Sequence, residues 1–280
     1  MNTKILVCCH KKDICYNVEP YFPIHVGKEK SGVELNIQGD DTGENISEKN
    51  GSFCELTGIY WAWKNLKDID VIGLCHYRRY FDFHKQTLSY LPSTVFKTEQ
   101  LPNVDFSIPE DILEKVQHGG IVVPKRNNYD CSIYLDYCKC HISDDLRVLD
   151  DVIHETQNNQ FRYAYNRVMH TKHKLIHYNM FLMRWKDYDE YCNWLFPILF
   201  EVEKRTDITH YNAVQKRIYG YMAERLFNVW LFAKKKRLIY KPIMMYDDKS
   251  YNPPLTFEHI KRNFLNSLSF KMLAPNMNEF

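Results

Sequence analysis

Apolar and polar positions alternate along this chain in short runs that switch between two periods. Residues 4–9, Lys-Ile-Leu-Val-Cys-Cys, are apolar until they meet His10, Lys11, Lys12 and Asp13. A run buried on both faces and closed by polar residues is the pattern of a first strand in an α/β sheet. Residues 22–27 read as a second short strand, and Asp70 to Tyr77 as the clearest strand of all, with Arg78 and Arg79 directly behind it. Ile121 to Lys125, Tyr178 to Met183 and Arg237 to Met245 complete the set of expected strands.

Helical periodicity fills the intervals. Leu56, Ile59, Tyr60, Trp63 and Leu66 recur at helical spacing. Ser52 stands before them as an expected N-cap, with Glu55 three residues on as a capping-box partner, and the helix is expected to end near Asn65 to Lys67. Asp111 to Gln117 predicts a short helix with Gly119 and Gly120 behind it. Ser132 to Asn159 is mainly helical by pattern, and Phe161 to Thr171 continues it. Lys186 to Lys204 and Val214 to Lys234 read as two long helices, the first carrying Pro197 as a source of a kink. Residues 36–52, rich in Gly, Asn, Asp and Ser, form a loop by composition, and 85–110 an irregular excursion. Leu255 to Leu273 spaces Phe257, Ile260, Phe264, Leu268 and Met272 as one face of an amphipathic helix. Such a face docks on its own domain or rests on anionic lipid.

Strands alternating with helices predict an α/β layer architecture with a mostly parallel central sheet and a more helical C-terminal half. The division expected is one domain over residues 1–250 and a helical tail over 251–280. No G-x-G-x-x-G follows the first strand and no G-x-x-x-x-G-K-S/T occurs, which sets aside a dinucleotide fold of the dehydrogenase type and a P-loop.

Composition narrows the field further. A net charge of +2 argues against a nucleic-acid binder. No stretch approaches the roughly 20 apolar residues that span a bilayer. Met1 to Cys8 is too short and too soon followed by charge to be a signal peptide, so a cytoplasmic protein, soluble or peripheral at the membrane, is expected. Nine scattered cysteines suit free, mostly buried thiols; Cys138-Lys139-Cys140-His141 lacks the spacing of a zinc knuckle. Twenty tyrosines supply flat faces with a polar edge, suited to sugars as well as to a core.

Four places carry candidate chemistry. His76-Tyr77-Arg78-Arg79-Tyr80 sets two guanidinium forks at a strand's carboxyl end, where open α/β sheets bind ligands. Forks of this kind match a diphosphate, or else pair with structural carboxylates. Asp40-Asp41-Thr42-Gly43-Glu44-Asn45 offers carboxylates to hydroxyls, or an ordinary Asx-turn loop. Asn179 follows His173, His177 and Tyr178. Glu224, beside Arg225 on a helix, is either a general base or half of an ion pair. Asp68-Ile69-Asp70 precedes its strand, at the wrong end for a ligand.

These blocks together resemble the capsular and exopolysaccharide biosynthesis family long described as a domain of unknown function and grouped with GT-A-type glycosyltransferases. The resemblance rests on Pro23 to Gly27, Asp40 to Ser47, Glu55 to Asn65, Ile72 to Phe81, Asn179 to Phe181 and Ala223 to Leu226, and runs from about residue 4 to about residue 245. It implies a GT-A-like fold and transfer of a sugar to a growing surface glycan, without fixing the donor. A hexose from a nucleotide-diphosphate sugar, in the first place a UDP-sugar, is expected, with galactose or galactofuranose named because some relatives occur alongside galactopyranose mutase. The acceptor would be a lipid-linked or oligosaccharide glycan of a surface polysaccharide. In that frame His10, Lys11, His76, Arg78 and Arg79 hold the donor diphosphate. Asn45, Trp61, Tyr77 and Asn179 meet the sugars, and Asp40, Asp41 or Glu224 activates the acceptor hydroxyl. The Asp-x-Asp that holds metal in many such enzymes is missing from its strand end, so no metal ligand is assigned and dependence on Mg or Mn stays open. The alternative is a non-catalytic carbohydrate-binding or scaffold protein of the assembly complex, which the aromatic richness fits equally well.

Overall fold

The computed structural model describes residues 1–87 and 91–249, and the amphipathic stretch expected over 255–273 lies outside them. Twelve strands are found among the described residues: β1 (Thr3–Cys9), β2 (Tyr21–His25), β3 (Gln38–Gly39), β4 (Val71–His76), β5 (Arg79–Phe81), β6 (Ser93–Phe96), β7 (Gly120–Pro124), β8 (Asn127–Asn128), β9 (Lys174–Leu175), β10 (Phe181–Arg184), β11 (Arg237–Lys241) and β12 (Ile243–Tyr246). The α-helices are α1 (Asn50–Phe53), α2 (Leu56–Asn65), α3 (Glu110–Gln117), α4 (Ile133–Cys140), α5 (Ser143–Thr156), α6 (Asn159–Thr171), α7 (Trp185–Arg205) and α8 (Ile218–Ala233).

The main sheet runs β11-β7-β10-β4-β1-β2-β3. Its β1–β2, β1–β4, β2–β3 and β7–β11 pairs are parallel, while β10 lies antiparallel between β4 and β7. The fold is thus α/β with a largely parallel sheet between helices, as the alternation of periods predicts. Each central strand feeds two cores. Leu6, Ile72, Leu74, Ile121, Val123, Phe181 and Met183 join the larger, under α2 and α4 to α8. Ile5, Val7, Val71, Cys75, Val122 and Leu182 join the smaller, with α3, β5 and β12. Strands covered on both faces need continuous apolar runs, because alternate residues point to opposite layers.

Four local expectations give way to tertiary pairing. The helix expected from Ser52 is two helices, parted at Cys54, whose backbone takes φ 54 and ψ −133. Ser52 is inside the first of them and its hydroxyl donates to the Lys49 carbonyl at 3.2 Å, so it caps nothing. The excursion over 85–110 contains β6, which finds its partner in β12, far along the chain. The strand expected over 237–245 is split at Pro242, which has no N–H for a ladder; β11 stays in the sheet and β12 turns to β5 and β6. The strand expected from Tyr178 begins only at Phe181, since Tyr178 and Asn179 both have positive φ, 74 and 51.

All nine cysteines are free. Among the described residues no helix is long and apolar enough to cross a membrane.

Candidate active site

The carboxyl ends of β1 and β4 lie side by side, with Cys8 opposite His76 in the register. Because β10 runs the other way, the residues that lead into it arrive at the same end, and Phe181 sits opposite Leu74. Topology therefore brings three segments to one place: His10-Lys11, His76 to Arg79, and His177 to Asn179. The two consecutive left-handed residues at Tyr178 and Asn179 are costly for non-glycine side chains and need firm support. They have it. His76 Nε2 donates to the Tyr178 carbonyl at 2.8 Å, and the Tyr178 N–H donates to Glu224 Oε1 on α8 at 2.7 Å. Burial, then the charge of Arg79, push the His76 imidazole down to about 4, so it is a neutral donor at this position.

The two arginines part company. Arg78 pairs with Asp13 at 2.6 Å and more loosely with Asp247 at 3.4 Å, which is the structural ion-pair reading of the sequence. Arg79 lays its guanidinium over the Tyr178 ring, 4.9 Å from the centroid, and its buried Nε has no hydrogen-bond partner among the described residues. Around them lie more cations. The His10 ring meets Tyr77 edge-on at 5.3 Å, with the Lys11 ammonium 5.7 Å from the same ring. Arg217, at the start of α8, donates to Cys54 Sγ at 3.3 Å and lies 5.5 Å from the Tyr221 ring. Burial lowers the His10 pKa, and the charges of Lys11, His76, Arg217 and Arg78 lower it further; the mouth carries a positive field.

Two carboxylates sit within this positive setting, with their pKa values moved in opposite directions. Glu224 is raised by burial but overruled by a His177 contact, by Arg225 and by the Tyr178 N–H, which together hold it down to about 2. His177 Nδ1 lies 3.5 Å and Arg225 Nη1 3.2 Å from its Oε2. These partners hold it as an anion, which is the ion-pair reading of the sequence. Glu55 accepts a hydrogen bond from Asn179 Nδ2 at 2.7 Å, and burial, the largest influence, raises its pKa.

Of the residues singled out in the sequence, the structure gathers His10, Lys11, His76, Tyr77, Arg78, Arg79, Asn179 and Glu224. Asp40, Asp41 and Asn45 belong to the loop after β3, and Trp61 to α2. Asp40 is sealed from solvent and its carboxylate accepts from the N–H groups of Gly27 and Lys28, at 2.9 and 3.1 Å, and from the Ser47 hydroxyl. It is the fastener of a loop rather than a base. Asn45 accepts from the Ser47 N–H at 3.1 Å in an Asx turn. Trp61 is 5% exposed, stacks on Phe22 and donates to Thr42. The Asp41 carboxylate lies so close to Gly39 that a Cβ there would come within 2.2 Å of it. Asp70 is tied to the N–H of Asn2 at the opposite end of the sheet, as expected of Asp68-Ile69-Asp70.

Glu55, Arg217 and Cys54 were not singled out for chemistry. Glu55 reads in sequence as a capping partner, and a lone Arg before a helix carries no local signal. Among the described residues there is no group of three or more His, Cys, Asp or Glu able to hold a metal ion.

Comparison with known proteins bears on the family and the fold. The family described as domain of unknown function (DUF4422) matches residues 4–236. A solved structure, the apo form of the bifunctional glycosyltransferase WbbM, is similar with a TM-score of 0.80 and 28% identity, covering 91% of this chain and 48% of that one. The chain therefore spans about half the length of that relative. Comparison with curated proteins gives no match.

Proposed function

Since this chain belongs to the family described as domain of unknown function DUF4422, and is similar over most of its length to part of a bifunctional glycosyltransferase, we propose that it is itself a glycosyltransferase that uses a nucleotide-diphosphate sugar. The observation that carries the proposal is Arg79. Its guanidinium stands at the carboxyl ends of β1 and β4, braced on Tyr178, with a buried Nε that lacks a partner among the described residues. A buried donor left unmade is costly, and a phosphate oxygen satisfies it in the geometry guanidinium groups favour.

In this reading the diphosphate lies between Arg79, Arg217, His10 and Lys11, while Arg78 shapes the rim through Asp13. As the bond to the sugar breaks, charge grows on the leaving phosphate, and cations already in place stabilise it without reorganising. The guanidinium, imidazole and ammonium groups at these strand ends supply positive charge of the kind a divalent cation supplies to a diphosphate in other enzymes. The donor proposed is a UDP-hexose, with galactose or galactofuranose as the sugar. The acceptor proposed is a lipid-linked or oligosaccharide glycan of a surface polysaccharide, met at the cytoplasmic face of the membrane.

The scaffold alternative rested on aromatic richness. Tyr80, Tyr137, Tyr165, Tyr188, Tyr191, Tyr219 and Tyr246 are fully buried core residues, so that argument loses its weight. The test is thermal unfolding with UDP, GDP, CDP and dTDP. A ligand at 100 times its Kd adds about 2.7 kcal/mol to stability, and a clear rise in Tm with UDP is expected. No rise with any of the four sinks the proposal.

A further inference from the structure

Of the carboxylates considered as proton acceptors, Asp40 and Glu224 are engaged by donors, while Asp41 stands in the loop after β3 against Gly39. Asp40 is sealed under the loop by three donors, Asp13 is bound to Arg78, and Glu224 is held by three neighbours. We infer that Glu55, presented by the broken turn between α1 and α2 and steered by Asn179, is the catalytic base that takes the proton of the acceptor hydroxyl in an inverting transfer. This rests on the glycosyltransferase reading and adds to it a residue and a stereochemical course.

The geometry carries the inference. Glu55 follows Cys54, whose φ of 54 and ψ of −133 break what sequence periodicity would make one helix. Asn50 holds that break by donating from Nδ2 to the Cys54 carbonyl at 2.7 Å and to the Thr57 hydroxyl at 3.1 Å. The distortion turns the Glu55 side chain from a capping position into the recess. There Asn179 Nδ2 meets its Oε1 at 2.7 Å. Asn179 is 3% exposed, itself at φ 51, and its buried Oδ1 has no hydrogen-bond partner among the described residues. Strained backbone on both sides of one hydrogen bond is the kind of cost that persists where a side chain must be aimed.

Position relative to the cations fits as well. Arg79 rests on the ring of Tyr178, the residue before Asn179, and Arg217 donates to Cys54, the residue before Glu55. Glu55 and these cations thus share one end of the sheet, and the carboxylate is half-buried rather than sealed. The titratable and charged groups facing it are Cys8 on β1, Cys54, Tyr191 on α7, Arg217, and Glu224 on α8. Burial and the Glu224 charge raise its pKa; Asn179 and Arg217 oppose them. A carboxylate so raised is a stronger proton acceptor than an exposed one, and more useful near neutral pH.

The step balances. The acceptor hydroxyl oxygen forms a bond to the anomeric carbon from the face opposite the diphosphate. The bond from that carbon to the phosphate oxygen breaks, and its electron pair leaves with UDP. The hydroxyl proton passes to Glu55.

Three variants test this: E55Q, E55D and N179G, glycine being chosen because it accepts the positive φ of Asn179. Each is checked by thermal melt with UDP, and by UDP release from UDP-galactose and UDP-galactofuranose with octyl galactosides as acceptors. E55Q is expected to melt and respond to UDP like the parent while UDP release falls ~10²–10⁴-fold. E55D is expected to keep part of the activity and the acid limb of its pH profile. N179G removes a donor to the charged carboxylate, so its acid limb moves to higher pH. The product anomer is expected to be inverted. Parental rates in E55Q, or retention in the product, overturn the role of Glu55 while UDP still binds; loss of UDP binding in the parent chain overturns the glycosyltransferase reading itself.

Discussion

Arg78 gives both Nε and Nη2 to a single carboxylate oxygen of Asp13, at 2.9 and 2.6 Å, whereas Arg79 beside it meets the face of Tyr178. Two chemically identical neighbours are thereby given different work. Arg78 lies in the turn that links β4 to β5 while Arg79 opens β5, so the turn sends one of the pair to the rim and the strand holds the other at the recess.

Alanine at Arg79 is accordingly expected to weaken UDP binding by roughly 10- to 100-fold, the value of a hydrogen bond to a charged group. Its melting temperature without ligand should stay near that of the parent. Alanine at Arg78, whose ion pair is part-exposed, should cost at most about 1 kcal/mol of stability and leave the response to UDP in place. Titration calorimetry with UDP on both variants checks the split; equal losses at the two positions contradict it.

Asp40 should behave as a structural residue. Asp40→Ala strips three donors of their acceptor in a sealed pocket, for a cost of about 3 kcal/mol. In a domain of this size that lowers Tm by roughly 6–12 °C. UDP should still raise the melting temperature of whatever fraction folds, which a differential scan reads directly.

Glu224 gives the fold an acid-sensitive fastening. Its pKa is held down from 4.5 to about 2, so the folded state binds its proton later than the unfolded chain does. The stability this supplies is complete above pH 4.5 and is lost as pH falls toward 2, up to about 3 kcal/mol. In Glu224→Gln that part of the pH dependence should vanish. Urea midpoints measured at intervals through this window decide it, a parallel decline in parent and variant being the contrary outcome.

A fourth expectation concerns packing. A Cβ at Gly58 on α2 would lie 2.8 Å from Cγ1 of Val26. Gly58→Ala forces α2 away from the end of β2 or Val26 off its rotamer, at about 1–3 kcal/mol. Because α2 begins directly after Glu55, the turnover of this variant should fall further than its stability loss alone explains. A turnover that tracks only the folded fraction argues the other way.

Much of this architecture is legible in the chain itself. The runs at 4–9 and 121–125 are apolar at both parities, and only a strand covered on two faces uses such a run. The stripe from Leu56 to Leu66 and the two long late helices follow from period alone. The site is legible in outline, because polar residues that close a buried parallel strand must emerge at its ligand-binding end; His10, His76 and Arg79 are found there. Asp40, Asn45 and Trp61 show the limit of composition. A loop rich in carboxylates and amides looks the same in sequence whether its oxygens face a ligand or its own N–H groups, and here they face the latter.

What the sequence determined by itself, then, is the layer order, the two-sided burial of the sheet and the cationic character of one strand end, all of which depend on local periodicity and residue type. What only the tertiary structure decided is how each carboxylate is paired. That depends on partners 124 residues apart for Glu55 and Asn179, and 46 for Tyr178 and Glu224. Glu55 and Glu224 are the same side chain in sequence. They differ because one meets a single amide in a recess and the other meets an imidazole, a guanidinium and a backbone N–H, and the free energy of a buried charge is set by those neighbours.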